Sequence, residues 1–190
     1  MRAIELSEIK NIAEYELERE QWRPQVMALK DRRRIRVGDH LTFLFENRDT
    51  VRYQIQEMLR IERIVKPEDV AHEVETYNEL IPGTNQLSAS LLIEYATPEE
   101  RQVKLRELLG LEHHVWLRVE GAPGRALAQF DQRQIATDRI SSVQYIKFPL
   151  TERQVRQWRS GAVIEVDHPK YRAERPLTAA ELEELARDFE

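Results

Sequence analysis

A chain of 190 residues, 41% hydrophobic and 33% charged, is long enough for one core and too apolar for wholesale disorder, so a single folded unit over 1–190 is expected. The lack of cysteine excludes disulfides, thiolate nucleophiles and cysteine-held metal or iron–sulfur centres within the chain. The net charge of −5 weighs against nucleic acid as a partner, although residues 21–66 hold 11 basic and 6 acidic groups and leave a basic surface as an alternative.

The start, Met1 to Glu8, has neither the apolar core of a secretory signal nor the Arg-rich character of a transit peptide, and no apolar run approaches a bilayer's thickness. A cytoplasmic protein with no membrane partner is expected. Residues 1–30 read as an N-terminal helical segment capped at Ser7, with Pro24 breaking or kinking it near Arg23. Arg34 to Val37 and Leu41 to Phe45, joined by Gly38-Asp39-His40, predict a hairpin. Arg32, Arg33 and Arg34 beside it read as edge-strand charges or, alternatively, as a phosphate contact.

Asn47 or Asp49 can cap a helix to about Val65, and Pro67 opens a second that ends near Ile81-Pro82-Gly83, a helical hairpin. Further on come a strand over Gln86 to Tyr95, a helix from Pro98 to Leu109, and strands at Val115 to Val119, Ala126 to Phe130 and Val143 to Phe148. A helix from Thr151 to Ser160, a strand at Val163 to Val166 and a capped helix from Thr178 to Phe189 in the C-terminal segment 172–190 complete the reading. Hairpin spacing with few βαβ units predicts α+β: a mainly antiparallel sheet covered by helices.

The helix after Phe45 carries two stripes. Val51, Ile55, Met58, Leu59 and Val65 form an apolar face. Thr50, Tyr53, Gln54, Glu57 and Arg60 form a second face of groups with directional hydrogen-bonding geometry, where a plain solvated face would carry Lys and Glu. That face reads either as a buried network, with Glu57, Arg60, Tyr53 and Asn78 coupled, or as a binding surface that includes Glu46, Asn47 and Arg48. A pocket formed by Glu57, Glu94 and His168 is the enzymatic or metal-binding alternative.

No phosphate-binding loop, dinucleotide fingerprint, nucleophile elbow or H-E-x-x-H motif is present. No catalytic residue, metal site or cofactor is therefore expected. His113 and His114, read as strand neighbours, would face opposite sides, and Asp69-x-x-His72 lacks the second pair that a di-iron bundle requires. His168, between Asp167 and Pro169, is the best single titrating candidate, with a turn histidine bonded to backbone as the plainer reading. Trp22, Trp116 and Trp158 read as core or interface anchors.

The stretch Phe45 to Arg60, with Tyr77-Asn78-Glu79-Leu80-Ile81-Pro82, Leu87-Ser88-Ala89-Ser90-Leu91-Leu92-Ile93-Glu94, Val143-Gln144-Tyr145 and Asp167-His168-Pro169-Lys170-Tyr171, resembles the bacterial domain-of-unknown-function family 3501 over most of the chain. The resemblance carries no specific activity or cofactor. It implies a redox or oxidative-stress setting, with a rubrerythrin-like protein and an iron–sulfur oxidoreductase as partners of an accessory protein. The positions drawn together by the polar helix face and these motifs are Glu46, Asn47, Arg48, Thr50, Tyr53, Gln54, Glu57, Arg60, Asn78, Glu94, His168 and Tyr171.

Overall fold

The computed structural model describes residues 1–189. After a 3-10 turn at Leu6–Glu8, helix α1 (Ile12–Arg32) is capped by Asn11, whose side-chain oxygen accepts the Glu14 N–H at 3.0 Å. Ser7 is therefore not the cap. The break expected at Pro24 does not occur, because Pro24 lies inside α1. An interior proline costs about 3 kcal/mol of helix. Packing opposes that cost: Trp22 meets Tyr15 and Tyr53 edge-on, with ring centres 5.9 and 5.6 Å apart.

Strands β1 (Arg34–Val37) and β2 (Leu41–Glu46) form the expected antiparallel hairpin. Helix α2 (Arg48–Glu62) is capped by Asn47, which accepts the N–H groups of Asp49 and Thr50 at 3.0 Å each. It stops at Arg63, which takes a left-handed φ of 55°. Val65 thus falls outside the helix and is exposed, leaving Val51, Ile55 and Leu59 as the buried stripe. Helix α3 (Pro67–Asn78) follows and packs on α2 as the second arm of a helical hairpin.

Beyond lie β3 (Gln86–Ile93), α4 (Pro98–Glu107), β4 (Val115–Val119), β5 (Arg125–Leu127), β6 (Gln129–Phe130), β7 (Val143–Pro149), α5 (Glu152–Gln157), β8 (Ala162–His168), β9 (Tyr171–Pro176) and α6 (Ala179–Ala186). The strands form two antiparallel sheets, β1-β2-β3-β7-β6 and β5-β4-β8-β9. The fold is α+β. The strand expected over Ala126 to Phe130 is divided at Ala128, so its first part pairs with β4 and its second with β7. A chain that turns a corner between packed sheets does this, and local patterning does not reveal it. Strand β9, too charged in Tyr-Arg-Ala-Glu-Arg-Pro to read as a strand, is an edge strand in which half-buried Tyr171 and Ala173 alternate with exposed Arg172 and Glu174.

The main core lies between the sheets. Phe43, Phe45, Leu91 and Phe148 from one meet Leu117, Ile164 and Val166 from the other, with Trp158, Leu182 and Leu185 closing one end. A smaller core, formed by Val51, Ile55, Leu59, Val74, Leu80 and Ile81, joins α2 and α3 to the outer face of the five-stranded sheet, where Tyr145 also packs. Among the described residues, no helix is long and apolar enough to cross a membrane.

Candidate functional site

The twelve positions singled out from the sequence occupy several separate places. Glu46 is buried at the end of β2, where its carboxylate accepts the hydroxyls of Thr50 at 2.5 Å and Ser90 at 2.7 Å. Asn47 serves as the α2 cap, and Arg48 pairs with Glu8. Tyr53 packs against Trp22, and Gln54 lies beside Tyr77. Glu57 faces α1: it accepts the Tyr15 hydroxyl at 2.6 Å and two N–H groups of Arg19 at 2.7 and 3.0 Å. Burial alone would raise its pKa, but the bonds from Arg19 and Tyr15 outweigh that and hold it at about 2.

Arg60 stands 3.6 Å from Glu57, yet Asn78 does not join them. Asn78 clamps the N-terminal segment instead, accepting the Ile4 N–H at 2.8 Å and donating to the Ile4 carbonyl at 2.9 Å. Nor do Glu57, Glu94 and His168 converge. Glu94 accepts the Thr42 hydroxyl at 2.5 Å. His168 is buried with both ring nitrogens engaged by backbone, Nδ1 accepting the Lys170 N–H at 3.2 Å and Nε2 donating to the Leu109 carbonyl at 3.1 Å. The Tyr171 hydroxyl donates to the Val37 carbonyl at 2.7 Å and accepts the His40 N–H at 3.1 Å, tying β9 to the β1–β2 turn.

The histidine pair also departs from expectation. His113 closes a 3-10 turn after Gly110, so neither residue is on a strand, and His114 Nδ1 lies 2.9 Å from Asp167. Among the described residues, no group of three or more His, Cys, Asp or Glu could hold a metal ion. Arg33 is fully buried and binds the C-terminal Glu184 and Asp188, so it does not face a ligand.

A cleft of about 640 Å³ opens between α3 and the far strands of the five-stranded sheet. Its position follows from strand register. Glu46, Ser88, Lys147 and Gln129 pair successively across β2, β3, β7 and β6, and Ser90 pairs with Tyr145 in the adjoining row. Residues paired in this way share a face. That face is the one under the helices, so a polar row runs where an apolar one would pack. Glu46 is covered by α2, while Ser88, Tyr145 and Lys147 reach the cleft floor and Tyr77, Leu80 and Phe130 its walls. Burial pushes the phenols of Tyr145 and Tyr77 up, and the Glu46 carboxylate adds to the effect on Tyr145. Both therefore stay neutral hydrogen-bond donors at physiological pH.

The rim is charged. Arg133 bridges Glu79 at the end of α3 and Asp131 beside β6. Neither Lys147 nor Glu73 belongs to an ion pair among the described residues. Reading of the residues did not single out Lys147, Ser88, Tyr77 or Tyr145 as site residues. The available signal was the alternation in Leu87-Ser88-Ala89-Ser90-Leu91 and Val143 to Phe148, which gives two half-buried strands a polar second face.

No curated protein matches the chain. A crystal structure of a novel protein of unknown function from Burkholderia pseudomallei K96243 is similar along the full length: 30% sequence identity, a TM-score of 0.92, and 100% of each chain covered. The family model described as Protein of unknown function (DUF3501) matches residues 3–189, and the chain belongs to that family.

Proposed function

We propose that this chain is a binding protein for a small molecule, held in the cleft between α3 and the β3-β7-β6 end of the sheet. The observation that carries the reading is the contrast between two polar surfaces. On α2 the directional groups are consumed internally, Glu57 by Tyr15 and Arg19 and Thr50 by Glu46. In the cleft, Lys147 and Glu73 stand outside any ion pair among the described residues, and Ser88, Tyr77 and Tyr145 line the same space. A concave, largely apolar site with a few convergent polar groups is the usual form of a small-molecule site. The accessory role beside a rubrerythrin-like protein and an iron–sulfur oxidoreductase, implied by family resemblance, then works through the cleft, with α2 as its support.

The test is a fragment screen on isotopically labelled protein followed by amide chemical shifts. Shifts concentrated at Ser88, Gln129, Tyr145 and Lys147 are expected. A screen in which these amides stay silent, or in which binders map to the α1–α2 surface, removes the reading.

A further inference from the structure

We propose that the ligand is a zwitterion of about dipeptide size, with its carboxylate on Lys147, its ammonium on the α3 wall at Glu73, and an apolar body between them. The inference rests on the cleft being the binding site and concerns the class of molecule it takes.

The charges of the cleft make the case. One guanidinium, that of Arg133, serves two carboxylates, Glu79 and Asp131, so the rim keeps an excess of negative charge. Glu73 adds to it from one turn before Tyr77. The carboxyl end of a helix carries partial negative charge, and α3 ends at Asn78 on this wall, so an ammonium group is favoured there. The sheet floor has the opposite character. Its acid, Glu46, is turned toward Thr50 and Ser90, leaving Lys147 as the cation of the polar row, with the Ser88 hydroxyl beside it. A ligand with only a negative charge would meet the acidic wall, and one with only a positive charge would meet Lys147. A phosphate dianion would have Lys147 alone against the acidic wall, since the Arg133 guanidinium is already engaged by carboxylates.

Leu80 and the rings of Tyr77 and Tyr145 also line the cleft and suit an apolar middle. The volume of about 640 Å³ lies within the range of small-molecule sites and exceeds what a single amino acid would fill.

The probes are the dipeptide Leu-Phe, its C-terminal amide, which keeps only the positive charge, and its N-acetyl derivative, which keeps only the negative one. Calorimetric titration should find Leu-Phe bound, with each derivative about tenfold weaker, the loss expected for one charge-assisted hydrogen bond. Lys147→Met should weaken Leu-Phe about tenfold while leaving the amide unchanged or tighter, and Glu73→Gln should do the same with the N-acetyl form as its insensitive partner. A variant that had merely misfolded would lose all three probes. Equal binding of Leu-Phe and either derivative overturns the zwitterion. So does a failure of all three probes when fragments still shift the cleft amides, an outcome that leaves the cleft as the site. If fragments also fail there, the binding function itself falls.

Discussion

At the scale of single residues, the strongest constraints come from ionisable groups whose partners lie far away in the chain. Glu57 is held at about 2, below its ordinary 4.5, so its ionised form favours folding. Its stabilisation is complete above about 4.5 and lost as the pH falls toward about 2. Glu57→Gln should therefore lower the melting temperature at neutral pH, with the gap from the parent closing across that window in melts at stepped pH. A gap that is constant with pH would assign the effect to packing. Arg33 presents a harder case. It is fully buried, donates to the Phe45 and Glu46 carbonyls at 2.8 and 3.2 Å, and pairs with Asp188 and Glu184. Arg33→Leu strands the buried Asp188 carboxylate, while Glu184 keeps Arg32 at 3.0 Å and Arg187 at 3.6 Å, and should cost about 3–5 kcal/mol by urea unfolding. The deficit should narrow in acid as Asp188 protonates.

At the scale of elements, the turn between β1 and β2 is fastened to β9 by one tyrosine. Gly38 has a φ of +65°, and a Cβ there would collide with the Tyr171 hydroxyl. Gly38→Ala therefore meets backbone strain of about 1–2 kcal/mol and also displaces the Tyr171 hydroxyl from the Val37 carbonyl. Tyr171→Phe removes the hydroxyl alone and should cost about 1 kcal/mol. In hydrogen exchange, both variants should speed the His40 amide, which donates to that hydroxyl. An unchanged His40 amide in Tyr171→Phe would show that the tie is not stabilising. Element boundaries were legible where a cap or proline marks them, as at Asn47, Pro67, Thr97 and Thr178. They were illegible where packing alone decides, as at Pro24 and along β9.

At the scale of the molecule, one core connects both sheets to α6 through Trp158, whose indole N–H donates to the Leu182 carbonyl at 2.9 Å. The second core reaches the same five-stranded sheet from its other face. Because that sheet belongs to both cores, we expect residues 1–190 to unfold as one unit. Trp158 lies in the first core and Trp22 against the α1–α2 pair, so each reports on one side of the sheet. Variants keeping one of these tryptophans should give coincident urea transitions. Separated midpoints would divide the chain at the sheet.

The sequence by itself determined the α+β class, the β1–β2 hairpin, the α2–α3 hairpin and the family, because periodicity, caps and long motifs are local properties of the chain. It also marked the segments that build the candidate site, since Tyr77, Ser88 and Tyr145 lie within the motifs that carry the resemblance. Only the tertiary structure decided which polar groups are spent and which remain. The directional groups on the face of α2 fit a buried network as well as a binding surface, and the fold decides it: Tyr15 and Arg19, some 40 residues earlier in the chain, take up Glu57. Lys147 looked like an ordinary strand lysine until register placed it in one row with Ser88 and Glu46. Pairing between distant segments sets that register, and no local pattern encodes which strand will lie beside which.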